Sequence, residues 1–166
     1  MEEKQAQSQE QPAIIGYRRE SKEEQVKGSS LNDQQKRIEE FCVAHNLKLV
    51  EVITEVHSSK EGKLKLLKET THRIVQDSTL SGLVVAYVNR LGRDDILPRI
   101  IARDLHLSNK RLYCCDVDAD LKVPSGYTLF SILVMMANIE NLNKGYVVKN
   151  VLETIRTKEK RITFRP

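Results

Sequence analysis

Tyr17-Arg18-Arg19-Glu20-Ser21-Lys22-Glu23-Glu24-Gln25 follows directly on the short apolar run Ala13-Ile14-Ile15-Gly16. That run reads as a first β-strand, so the chain leaves a strand and at once presents two arginines and a serine. A serine at this place is, taken alone, an ordinary helix cap. A second stretch changes its meaning. Asn89-Arg90-Leu91-Gly92-Arg93 leaves the strongly apolar run Leu83-Val84-Val85-Ala86-Tyr87-Val88. Unbroken apolar runs mark strands buried on both faces, and the carboxyl ends of such strands share one edge of a parallel sheet. On that arrangement Ser21, Arg19, Arg90 and Arg93 converge on one crevice. A hydroxyl ringed by guanidinium groups suits the chemistry of a phosphate diester.

The bulk properties fit this frame. A chain of 166 residues, 40% hydrophobic and 30% charged, is long enough for one domain with a real core. The net charge of +4 is modest, but residues 144–166 hold seven Lys/Arg against two Asp/Glu. The basic end is therefore the C-terminal end, as a phosphate backbone would require, although a solvated helix face reads the same way. Cys42, Cys114 and Cys115 form no C-x-x-C pair, and His45, His57, His72 and His106 are scattered, so neither a metal nor another cofactor is expected. The cysteines read as buried free thiols of a reducing compartment. With no signal peptide and no membrane-spanning apolar run, the expectation is a soluble, cytoplasmic protein that does not engage a membrane.

Along the chain, residues 1–12 are polar and read as a disordered leader. Ser30-x-x-Asp33 resembles a capping box and opens a helix to about His45, with Asn46 as its stop. Leu47 to Thr54 alternates as a strand and is followed by a loop over 55–62. A second helix is expected from about Lys63 to Gln76, then the strand Leu83 to Val88. A third helix follows from Asp94 to about Leu107, then a strand from Arg111 to Asp116. This alternation predicts an α/β fold over residues 13–123: a mostly parallel sheet of four to five strands flanked by helices. From Pro124 to about Thr157 a single long helix is expected, with 158–166 as a basic tail or the start of a linker. Its first half, Leu129 to Ala137, is apolar nearly all round. Such a helix touches its own core on one side and a further surface on the other, either a second copy or another part of the same fold.

Tyr-x-Arg-x-Ser, then Gln25, then Ser30-Leu31-x-x-Gln34, then Arg90-Leu91-Gly92-Arg93, resembles in order and spacing the catalytic domain of the serine recombinases, the resolvase/invertase and large serine integrase group. The similarity runs from about Ile14 to about Glu140. It implies transesterification: a serine hydroxyl attacks a DNA phosphodiester, forms a phosphoserine link and releases a 3′ hydroxyl, with no need for ATP or a metal. Preorganised arginines would offset the charge gathered in the transition state, each contact worth ~2–4 kcal/mol. By the resemblance Ser21 is the nucleophile, and Arg19, Arg90 and Arg93 hold the scissile phosphate. Gln25, Gln34, Glu55, Asn89, Asp120 and Glu140 support the site. The long helix is the dimerisation helix of a homodimer that assembles to a tetramer on DNA, in a prokaryotic or mobile-element host. Target recognition would come from a separate DNA-binding domain or a partner protein.

Several positions depart from the pattern. Asn89 stands where an aspartate is usual, Glu55 is a glutamate in an aspartate's place, and Asn141 replaces an arginine. Glu20, between Arg19 and Ser21, replaces an apolar residue and puts a negative charge beside the phosphate pocket. The arginine expected near Ser58-Ser59 is missing; Lys60, Glu61 and Lys63 are nearest. Two readings follow: an active recombinase domain, or a degenerate one that dimerises with or regulates an active partner. A third, an unrelated module binding a phosphorylated small ligand, lacks a Gly-rich phosphate loop.

Overall fold

The computed structural model describes residues 10–21, 30–57, 64–92, 96–117, 121 and 124–163. Four strands, β1 (Ala13–Ser21), β2 (Lys48–His57), β3 (Leu80–Val85) and β4 (Arg111–Cys114), form one sheet in the order β2-β1-β3-β4. Every pairing is parallel. The helices are α1 (Ser30–Ala44), α2 (Lys65–Gln76), α3 (Ile96–Leu107) and α4 (Pro124–Thr163), with a 3-10 turn at Val88–Arg90. The expected α/β architecture is the observed one, with four strands rather than five among the described residues.

Alternation along the strands buries both faces. Ile15, Tyr17, Leu83 and Val85 pack with Leu67 and Ile74 of α2, Ile101 and Leu105 of α3, and Phe130 and Val134 of α4. Ile14 and Val84 point the other way, against Ile38 and Cys42 of α1. Gly16 lets α1 close on the sheet: a Cβ there would stand 3.2 Å from Ile38 Cγ2 and 3.0 Å from Val52 Cγ2. α1 ends at Ala44, and Asn46 then takes a positive φ of 53° as the Leu47 N–H returns to the Cys42 carbonyl at 2.9 Å.

The boundaries differ from expectation in informative ways. β2 runs to His57, so Glu55 is a strand residue and not part of a loop. β3 begins at Leu80 and leaves the sheet after Val85, where its pairing with Tyr17 ends. The apolar run continues to Val88, but Val88 is buried as the first residue of the 3-10 turn. β4 stops at Cys114, and Cys115 and Asp116 form a tight turn that bridges Cys114 to Val117. The calls at Lys63 and Asp94 lie outside the described residues, and α2 and α3 are described from Lys65 and Ile96.

α4 is 40 residues long and continues to Thr163, past the expected end at Thr157 and through most of the anticipated tail. At about 1.5 Å per residue it spans roughly 60 Å. Phe130 and Val134 face the core, while Tyr127, Leu129, Ile132, Met135 and Met136 are exposed. Farther along, Ile139, Leu142 and Tyr146 are 49%, 64% and 68% exposed. The apolar girth of this helix is thus only half covered among the described residues. No described helix is long and apolar enough to cross a membrane.

Candidate active site

In a sheet of order 2-1-3-4, the crossovers leave β1 and β3 in opposite directions. The crevice between their carboxyl ends is where ligands bind in such folds. β1 ends there in Arg19, Glu20 and Ser21, and β3 delivers the turn that carries Asn89 and Arg90. The two arginine stretches therefore meet, as the sequence suggests.

The meeting is made of hydrogen bonds. Arg19 is buried and donates from Nε to the Arg90 carbonyl at 2.9 Å and from Nη2 to the Asn89 carbonyl at 2.7 Å. Arg90 answers from Nη1 to the Arg19 carbonyl at 3.3 Å. The forked guanidinium thus spends two donors in holding the turn. Asn89 takes part through its backbone, and its residue as a whole is exposed.

Gln34 completes the frame. β1 loses β3 as a neighbour beyond Tyr17, and the Gln34 amide takes over that role. Its Oε1 accepts the Arg19 N–H at 3.2 Å and its Nε2 donates to the Arg19 carbonyl at 3.0 Å. Gln34 lies one turn before Ile38 on the same face of α1. The close approach at Gly16 brings it into reach, and its side chain is fully buried.

Beneath the arginines lies a buried tyrosine–glutamate pair. Tyr17 Oη donates to Glu55 Oε2 at 2.6 Å. Glu55 also accepts the Leu66 N–H at 3.3 Å and the Leu67 N–H at 3.2 Å, at the first turn of α2. A carboxylate there satisfies amides that the helix itself leaves unpaired. Burial, followed by the bond to Glu55 and its charge, raises the Tyr17 pKa well above the ordinary phenol value, while Arg19 and Arg90 pull it down. The pair thus sits within electrostatic reach of both guanidinium groups. Tyr17 belongs to the quoted motif, but nothing local in the sequence marks its role, because its partner Glu55 lies 38 positions away.

Glu20 does not stand beside Arg19 as its neighbouring number suggests. Strand alternation puts it on the α1 face with Arg18, whose Nη1 reaches the Leu31 carbonyl at 3.1 Å. Glu20 is nevertheless buried. Ser21 closes β1 by its backbone, and its side chain lies outside what is described. Gln25, Arg93 and Asp120 lie outside the described residues, as does the 58–63 segment where an arginine was expected. Glu140 is exposed on α4, six residues beyond Val134 or about 9 Å along the helix axis. The described part of the site is therefore Arg19 and Arg90, braced by Gln34, Tyr17 and Glu55. No group of three or more His, Cys, Asp or Glu able to hold a metal occurs among the described residues.

Comparison with known proteins extends the geometry. Among solved structures, a resolvase family site-specific recombinase from Streptococcus pneumoniae aligns with a TM-score of 0.60 at 19% identity, over 88% of this chain and 99% of that one. The N-terminal catalytic domain of TP901-1 integrase aligns with a TM-score of 0.58 at 17% identity, over 80% and 98%. The C-terminal catalytic domain of ISC1926 TnpA, an IS607-like serine recombinase, gives 0.55 at 17% identity, over 86% and 98%. At these identities it is the fold that is shared. None of the curated proteins matches the chain. Residues 14–161 match the sequence model described as the resolvase N-terminal domain. A match over that span, on a sheet whose switch point joins the two arginine stretches, means that this chain belongs to the resolvase family of serine recombinase catalytic domains.

Proposed function

We propose that this domain cuts and rejoins DNA by transesterification at Ser21. The observation that carries the reading is the interlocked pair of Arg19 and Arg90 at the carboxyl end of the strand that terminates in Ser21. Ser21 Oγ attacks the phosphorus and gives up its proton to solvent, the new P–O bond links the 5′ phosphate to the serine, and the P–O3′ bond breaks so that the 3′ oxygen departs and takes up a proton from solvent as a hydroxyl. Rejoining runs the same step backward, with the 3′ hydroxyl attacking the phosphoserine. Arg90 and Arg93 stabilise the charged transition state, as positively charged donors fixed in advance do most effectively. Arg19, whose Nε and Nη2 fix the turn that carries Arg90, adds its positive charge beside the scissile phosphate. Gln34 and Glu55 hold β1 and α2 around this pair, with Gln25, Asn89, Asp120 and Glu140 as further supports. DNA is the partner. The uncovered apolar side of α4 pairs with a second copy of the chain, and two such dimers form the tetramer that exchanges strands.

A second reading has an observation of its own. Two donors of Arg19 point to backbone carbonyls rather than into the crevice. In that case the domain is a degenerate partner whose working surface is α4. The test is a covalent trap: the chain is fused to a DNA-binding module of known site and given a nicked substrate that cannot religate. The expected result is a phosphoserine-linked DNA fragment at Ser21 by mass spectrometry, lost in Ser21→Ala. No adduct from a folded protein that occupies its site would refute the catalytic reading and leave the partner reading.

A further inference from the structure

We propose that Asp116 is a positioning residue for the arginine-bearing turn, gripping it by the Val88 amide from the end of β4. The role rests on the transesterification reading for its purpose, but not for its geometry. The 3-10 turn makes two bonds of its own, from the Arg90 N–H to the Tyr87 carbonyl and from the Leu91 N–H to the Val88 carbonyl, each at 3.0 Å. Neither involves the Val88 N–H, because the first amides of a helical turn have no partner within it. That N–H is donated to Asp116 Oδ2 at 3.2 Å.

The backbone on either side of Asp116 is hydrogen-bonded, although the residue as a whole is exposed. The Cys115 N–H continues the sheet by donating to the Val85 carbonyl at 2.9 Å. The Val117 N–H then closes a tight turn on the Cys114 carbonyl at 3.0 Å. Asp116 sits in that turn, at the same carboxyl edge as Ser21 and Arg90. A further contact comes from α1, where the Arg37 guanidinium lies over the ring of Tyr87, the residue before Val88, at 5.0 Å from its centroid.

The turn is thus gripped from two sides by side chains far away in sequence. Asp116 takes its leading amide, and Arg19 takes its Asn89 and Arg90 carbonyls. Val88 and Leu91 are buried and anchor the turn in depth. Burial of apolar groups is non-directional, whereas hydrogen bonds fix orientation. Asp116 and Arg19 therefore set the angle at which Arg90 is presented. A guanidinium must lie within a few tenths of an ångström of its working place for full effect.

Two substitutions in the full chain test this. Asp116→Ala removes the acceptor, and Asp116→Asn keeps a carboxamide oxygen at the same reach. Amide hydrogen exchange at Val88, read by NMR, is expected to quicken about tenfold in Asp116→Ala and to stay within about threefold of the parent in Asp116→Asn. On the trap substrate at saturating DNA, cleavage is expected to slow about tenfold in Asp116→Ala with DNA affinity unchanged, and to recover in Asp116→Asn. Unchanged Val88 exchange in Asp116→Ala overturns the proposal, as does cleavage at the parental rate. Should the parent itself fail to cleave, the transesterification reading falls on its own, and Val88 exchange still decides whether Asp116 holds the turn.

Discussion

Gln34→Leu is the substitution that most directly tests how β1 is held in its last residues. Leucine fills much of the same space but can neither accept the Arg19 N–H nor donate to the Arg19 carbonyl, the bonds made at 3.2 and 3.0 Å. The carbonyl keeps the Arg90 Nη1 at 3.3 Å, so the loss falls most heavily on the N–H. Removing one partner from a buried backbone group costs about 1–3 kcal/mol, and the second, partly compensated bond adds less. The expected destabilisation is about 2–4 kcal/mol. For a chain of this size that corresponds to a fall in Tm of roughly 4–16 °C. Urea denaturation followed by circular dichroism measures it as a lower midpoint at unchanged slope. Gln34→Glu should recover little at neutral pH, since a buried carboxylate repels the carbonyl that the amide served. A Gln34→Leu protein within about 0.5 kcal/mol of the parent would mean that β1 needs no stand-in for its missing strand partner, and the account of the site's frame would fall.

Three further outcomes follow from the same geometry. Arg19→Lys replaces a fork that reaches two carbonyls by a single ammonium, and should cost about 1–3 kcal/mol in urea denaturation even where no DNA is present; a neutral result would remove the bracing role. Burial pushes the Cys42 thiol to about 11 and Cys115 to about 12 from an ordinary 9.0. Alkylation of the folded protein at pH 8 should therefore run at least about a hundredfold slower than in urea, read site by site by mass spectrometry. The Thr79 hydroxyl and amide, bonded at 2.6 and 2.8 Å, hold Asp77 below the usual carboxylate range. A depressed folded pKa gives stability that is present above the unfolded value and is lost as pH falls through the folded one. Asp77→Ala should accordingly be less stable than the parent at neutral pH and converge with it in acid, and a gap that persists at low pH would assign the effect to something other than this carboxylate.

How much of this was legible depends on what each residue does. The alternation of strands and helices, the stop at Asn46 and the convergence of the two arginine stretches follow from hydrophobic period and turn chemistry, which are local. The alternation predicts a strand that ends at Thr54, which leaves Glu55 in the loop that follows. Glu55 is buried in a strand because Tyr17 and the first amides of α2, eleven residues or more away, supply its partners. The apolar run predicts β3 only from Leu83, and the strand starts three residues earlier, at Leu80. Gly82 permits close pairing with β4, where a Cβ would stand 2.2 Å from the Arg111 carbonyl oxygen. The bond from Val88 to Asp116 has no local sign in the sequence, because the two lie 28 positions apart and Val88 offers only a backbone amide. A backbone amide leaves no mark in the sequence. Gln34 was read as a support for the site, while its bonding to the Arg19 main chain is visible only once Gly16 has let α1 approach.

The reach of α4 has a mechanical consequence. Its last core-facing residue among those described is Val134, and the helix continues to Thr163, about 44 Å farther. It starts beside the 3-10 turn that carries Arg90, and so has the geometry of a lever. A tilt of about 5° at Phe130 and Val134 carries the far end through roughly 4 Å, comparable with the rise of one base pair. On the proposed function, adjustments in packing too small to disturb the sheet become displacements on the scale of DNA itself.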